Sequence, residues 1–335
     1  MKTDCSCVSN RLGRMAFVYR RILPVAIGLA CGLFGAVAVR ADTPLLCVLV
    51  PHFKDEYWLS VAYGLEQRAA DSGLALRFFE AGGYDALDQQ IGQLSACAEL
   101  QADVILIGTV SSEAPGLLAA VARAAIERPV IGLVNELHSP ALTARVGVDW
   151  EDMGFALGGR LAARFPASGP AQRAIFLTGL ASAGWVGPLE KGLRRGLSGS
   201  AITITGVYGD DTGTSEQLRL LETAWAQHPD TTLVIGSAPA IEAAMAFFRG
   251  QEPRPLLAAT YFSHSVARGL AGRQILAAPF DDPIAQGRLA IDAAVAAMAG
   301  GQGPRQLSTV ITVQDEGIDP AAVTLSPADY FPSLD

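Results

Sequence analysis

The sequence has 335 residues, half of them hydrophobic, with 25 basic residues against 33 acidic ones and a net charge of −8. That length gives room for about two domains of ordinary size. The acidic balance excludes an electrostatic footprint for nucleic acid and a polybasic handle for anionic lipid.

At the N-terminus Arg20 and Arg21 precede an apolar run from Ile22 to Val39. The run is broken by Pro24, Gly28, Gly32 and Gly35 and closes on Ala38-Val39-Arg40-Ala41. A basic start, an apolar middle and small residues at a cleavage position predict a secretory signal over residues 1–41. The competing reading is a permanent anchor, since the run is about long enough to span a bilayer. Cleavage before Asp42 would leave no stable membrane insertion. Residues 1–41 carry six basic residues and one acidic one, so the remaining 294 residues hold 19 basic and 32 acidic, a net −13. Of five cysteines only Cys47 and Cys97 survive cleavage. In an exported chain such a pair suggests one disulfide, with two buried free thiols as the alternative.

The rest of the chain alternates strand-like and helical runs. Strands are predicted at 45–51, 75–80, 104–107, 130–133 and 144–148, with helices at 57–72, 86–101 and 117–126 between them. A second set follows. Helices are predicted at 151–165, 189–197, 214–228, 239–248, 263–271 and 283–299, and strands at 173–177, 202–208, 232–236, 256–260, 275–280 and 309–313. The helix from Thr214 opens on a Thr214/Gln217 capping pattern. The tail from Pro320 reads as loop. The strands are continuous Val/Ile/Leu runs, as in parallel sheets buried on both faces. Two consecutive βα sets predict an α/β fold of two doubly wound parallel-sheet lobes joined by a multi-crossing hinge. The expected partition is 42–148 plus about 261–300 for the N-terminal lobe, and 149–260 plus about 301–335 for the C-terminal lobe. Ligands bind beyond the carboxyl ends of such strands, which points to the cleft between lobes.

Catalytic signatures are missing. There is no G-x-S-x-G elbow, no phosphate-binding G-x-x-x-x-G-K-[ST] and no G-x-G-x-x-G after a strand. The glycines at 179, 184 and 187 fit neither phosphate motif and read as a flexible turn. His52, His138, His228 and His264 lie at no metal-ligand spacing. Asp281-Asp282 before Pro283 reads as a helix N-cap. The sequence therefore predicts a binding protein with no cofactor or metal, not an enzyme.

Aromatic residues are few, yet several fall just after predicted strands. Tyr57 and Trp58 follow the first, Tyr84 the second, Trp150 the fifth, and Tyr261 the strand at 256–260. In this architecture all face one cleft and form a cage. Ring faces suit a ligand whose positive potential is spread over methyl groups. A sugar would need many more hydrogen-bonding partners than the expected cleft offers in Asp55, Glu80, Asn135, Asp149 and Ser263.

The Leu46–Gly64 segment, with its Lys54-Asp55-x-Tyr57-Trp58-Leu59-Ser60 core, resembles the TorT family of type I periplasmic binding proteins. So do Glu80-Ala-Gly-Gly-Tyr84, Leu133-Val-Asn135, Arg145-Val-Gly-Val-Asp-Trp150 with Met153-Gly154, and the Tyr261–Leu270 segment, in the same order. Asp149 departs from the family pattern. The resemblance implies a periplasmic protein that binds trimethylamine N-oxide (TMAO) without catalysis and engages the periplasmic domain of a TorS-like sensor histidine kinase. It implies a ligand site of Tyr57, Trp58, Tyr84, Trp150, Tyr261 and Asp55, and a Cys47–Cys97 disulfide. The alternative function is the solute-binding subunit of an ABC importer for a sugar or another small polar or quaternary-amine ligand.

Overall fold

The computed structural model describes residues 43–301 and 305–334; the expected signal segment lies outside them. Five strands and four helices open the fold: β1 (Leu45–Val50), α1 (Glu56–Ser72), β2 (Ala75–Glu80), α2 (Leu87–Glu99), β3 (Val104–Ile107), α3 (Pro115–Glu127), β4 (Val130–Leu133), β5 (Ala144–Val146) and α4 (Trp150–Arg164). There follow β6 (Gln172–Thr178), α5 (Val186–Gly196), β7 (Ile202–Gly209), α6 (Thr214–Gln227), β8 (Leu233–Gly236), α7 (Ala238–Phe247), β9 (Leu256–Ala259) and α8 (His264–Ala271). The chain ends with β10 (Ala277–Phe280), α9 (Pro283–Met298), β11 (Gln306–Leu307) and β12 (Thr312–Asp315).

The first sheet runs β11-β5-β4-β3-β1-β2 and the second β7-β6-β8-β9, all parallel. In each, the strand order reverses beside the first strand of the set, leaving a crevice at the carboxyl ends. Alternation along β1 divides its side chains between two layers. Leu46, Val48 and Val50 join the core under α1, while Cys47 and Leu49 join the one under α2 and α3. Cys47 and Cys97, both fully buried in that second layer, are disulfide-bonded with their Cα atoms 6.0 Å apart. The α1/α9 and α4/α5 pairs pack so closely that a methyl at Gly64 would strike Ile284 O, and one at Gly192 would strike Glu151 O.

The lobe partition differs from the expectation in two places. Helix α8 lies against α7, and β10 stands beside β9 and pairs antiparallel with β12, so 264–280 stays with the second sheet. β11 pairs with β5 and so returns to the first sheet. The chain thus crosses between sheets after β5, after β10 and between β11 and β12. A sequence cannot show this, because two-residue strands carry no periodic signal. The expected last strand at 309–313 resolves into the end of that crossing plus β12. Gly213, not Thr214, occupies the N-cap of α6, and Gln217 instead donates to the carbonyls of Thr178 (3.1 Å) and Asp211 (3.0 Å). The tail is more than loop. Tyr330 donates to Glu66 at 2.8 Å, Phe331 meets Phe53 at 5.7 Å between ring centroids, and Ser326 O accepts from His264 at 2.7 Å. It therefore ties α8 to α1.

The disulfide closes a 50-residue separation, for which unfolded-chain entropy gives about 4 kcal/mol. Replacing both cysteines with alanine is expected to lower the urea midpoint by a corresponding amount, and reduction of the wild-type chain to do the same.

Candidate functional site

The β1–α1 connection starts the site. Asp55 caps α1, its Oδ1 accepting from Tyr57 N at 3.0 Å, a favourable use of a carboxylate at a helix N-terminus. The cap turns Tyr57 and Trp58 into the crevice as the first residues of the helix face. Gly108, just past β3, makes room for Trp58; a methyl there would collide with the indole. Tyr84 arrives from the loop after β2. After β4 the chain turns sharply at Val134, whose φ of +62° puts a β-branched residue in the left-handed region, a strained conformation that needs its surroundings to hold it. That turn aims Val134 O at Trp150, whose Nε1 donates to it at 3.2 Å.

Tyr57, Trp58, Tyr84, Trp150, Tyr261 and Asp55 line one cavity, together with Val134, Asn135 and Trp185. Only about 10 Å³ of it admits the centre of a water molecule, about the room of one water. Its walls come from both sheets. Tyr57 meets Tyr261 at 5.5 Å, Trp150 meets Trp185 at 5.5 Å, and Trp185 meets Tyr84 at 6.3 Å between ring centroids, distances within the aromatic-pair range.

Trp185 is the residue that sequence reasoning missed. It sits between β6 and α5, in the loop whose glycines predict a flexible turn. The signal was the one used elsewhere, an aromatic residue following a strand. A methyl at Gly179 would strike its indole, and one at Gly184 would strike Glu136 O and Ser112 across the crevice. These glycines therefore serve close approach. The other expected polar groups lie elsewhere: Asp149 caps α4, Ser263 caps α8, and Glu80 accepts from Phe53 N.

The ring hydroxyls have dedicated partners. Tyr261 donates to Asp55 Oδ2 at 2.5 Å, and Tyr57 to Asp281 Oδ2 at 2.8 Å. Gln286 Nε2 also reaches Asp281 Oδ2 at 2.7 Å. Asn135 Nδ2 donates to the Tyr84 hydroxyl at 3.1 Å. The expected N-cap pair thus divides its work: Asp282 caps α9, while Asp281 is a buried acceptor for the cage. Burial pushes Asp55 and Asp281 up to about 6, against their hydrogen bonds. Burial likewise raises Tyr57 and Tyr261 well above the usual phenol range, so the phenols stay donors.

A second polar cluster joins the lobes beside the cage. Asp211, after β7, accepts from Tyr84 N at 3.0 Å and stands 3.5 Å from both His52 Nε2 and Lys54 Nζ. Burial alone would raise its carboxyl, but these partners hold it down to about 2.

Comparison with known proteins bears on this geometry. Residues 46–302 match the family model described as periplasmic binding protein domain. The chain belongs to the periplasmic binding protein family. It is 33% identical over 304 residues to periplasmic protein TorT of Escherichia coli K12, covering 88% of this chain and 87% of that one. That identity places it among TorT's relatives. The complex of the TorS sensor domain with TorT superposes with a TM-score of 0.77 without ligand (31% identity) and 0.76 with TMAO (32%), each covering 87% of this chain and 100% of the other. An ABC transporter solute-binding protein of Bradyrhizobium sp. BTAi1 with bound bis-Tris gives 0.73 at 35% identity, covering 88% and 90%.

The two raised carboxyls set a pH dependence. Between about pH 4 and 6 the folded chain holds more protons than the unfolded one, so their contribution to stability falls as pH rises through that window. Thermal midpoints of the wild type and of an Asp55→Asn/Asp281→Asn variant are expected to show a smaller decline from pH 4 to pH 6.5 in the variant.

Proposed function

We propose that this protein is a periplasmic sensor-type binding protein that holds TMAO in the aromatic cage and relays its presence to the periplasmic domain of a TorS-like sensor histidine kinase. The observation that carries this reading is the enclosure of one small cavity by six ring systems drawn from both lobes. TMAO presents three methyls bearing the positive end of its dipole, which suit ring faces, and one strongly accepting oxygen. Hydroxyls that would bind a sugar are committed here to Asp55 and Asp281. Similarity to TorT, and to TorT complexed with the TorS sensor domain, supports the same ligand and partner. The apolar run with its cleavage-like end supports export, and among the described residues no helix is long and apolar enough to cross a membrane.

Because the cage joins the lobes, a ligand that binds the closed arrangement more tightly shifts the chain toward it. The signal is that difference in affinity between states.

A second reading, the solute-binding subunit of an importer, is favoured by the Bradyrhizobium relative with bound bis-Tris. The cavity, with about the room of one water, must widen for TMAO as well, and far more for the much bulkier bis-Tris.

Calorimetric titration with TMAO, trimethylamine and ribose separates the readings. Saturable binding of TMAO alone supports the sensor, and binding of ribose supports the importer. Trp58→Ala and Trp150→Ala are each expected to weaken TMAO binding about tenfold or more, from the loss of a desolvated ring face of up to ~2 kcal/mol plus the packing around it. Full affinity in both variants would remove the cage.

A further inference from the structure

We propose that Trp185 contacts the ligand directly, its indole N–H donating to the ligand's acceptor oxygen and so selecting an N-oxide over the corresponding amine or ammonium. The inference rests on the TMAO reading above and deepens it by assigning the end of the ligand that each side of the cage recognises.

Trp185 is 2% exposed, and its Nε1 is buried without a hydrogen-bond partner among the described residues. Three of the cage's other polar tips are committed. The hydroxyls of Tyr57 and Tyr261 are spent on carboxylates, and Trp150 Nε1 on Val134 O. An unpaired buried N–H costs about 1–3 kcal/mol, and it persists where a ligand or water is to complete it. The indole packs edge-on against the ring of Tyr84, centroids 6.3 Å apart, near its phenol oxygen. That oxygen already accepts from Asn135, which leaves the phenol proton as a second donor. The two donors together make a point that attracts an acceptor and repels a donor.

The lobe geometry adds weight. Trp185 is carried by the second sheet, and its loop leans on Ser112 and Glu136 of the first. An acceptor between Trp185 and Tyr84 would thus be held by one donor from each lobe. The oxide of an N-oxide carries a formal negative charge, which strengthens both bonds. Protonated trimethylamine offers an N–H where the site offers N–H and O–H, and tetramethylammonium offers a methyl. A site built to satisfy a hydrogen bond rejects analogues that leave it unmade.

The test titrates the exported chain and its Trp185→Phe variant with TMAO and with tetramethylammonium, in which a methyl replaces the oxide. Loss of the N–H is expected to weaken TMAO about tenfold and to change tetramethylammonium less than about twofold, so the preference for TMAO shrinks. Gly179→Ala, whose methyl displaces the indole while keeping its ring, is expected to shift selectivity the same way. Equal losses for both ligands would make Trp185 a packing residue and overturn the inference, as would unchanged TMAO affinity. Failure of the wild type to bind TMAO would remove the function itself, and the inference with it.

Discussion

Six aromatic side chains that each carry a polar group are buried against one another between two sheets. Burial rewards the rings but penalises every tip left unpaired. Much of the local architecture answers that constraint. Asp55 serves at once as helix cap and as acceptor for Tyr261. Asp281 lies where the chain crosses back to the first lobe, and accepts from Tyr57. The strained turn at Val134 exposes a carbonyl to Trp150. Each partner comes from a loop at the carboxyl end of a strand or from a crossing segment, so the cage is built from the parts of the fold that couple the lobes.

On the proposed function, that placement makes ligand recognition and lobe geometry one problem. Tyr57 and Tyr261, on opposite lobes, touch each other, and each is hydrogen-bonded to a carboxylate far from it in sequence. Asp211 of the second lobe holds the backbone of Tyr84 in the first. The tail ties α8 to α1 on the outside. The cage thus shares its contacts with the rest of the interface. A family built on this plan is suited to reporting occupancy to a partner as well as to carrying solute.

The close glycine contacts serve the same end. Gly108 and Gly179 each lie just past a strand and beneath an indole, Trp58 in one lobe and Trp185 in the other. Both give a large ring the space to lie over the strand ends.

The sequence by itself determined the fold class, the alternation of strands and helices, and five of the six rings. Apolar continuity and strand-end position are local properties, and a parallel βα plan converts strand-end position into cleft position. The Leu46–Gly64 and Glu80–Tyr84 segments added the family. Only the tertiary structure decided the role of Trp185, the commitment of Asp281 to Tyr57 across 224 residues, and the division of the C-terminal third between lobes. Those depend on contacts between segments distant in the chain and on two-residue pairings too short to leave a periodic pattern. Which polar tip is left unpartnered is settled by the whole surrounding shell, and no local stretch of sequence encodes it.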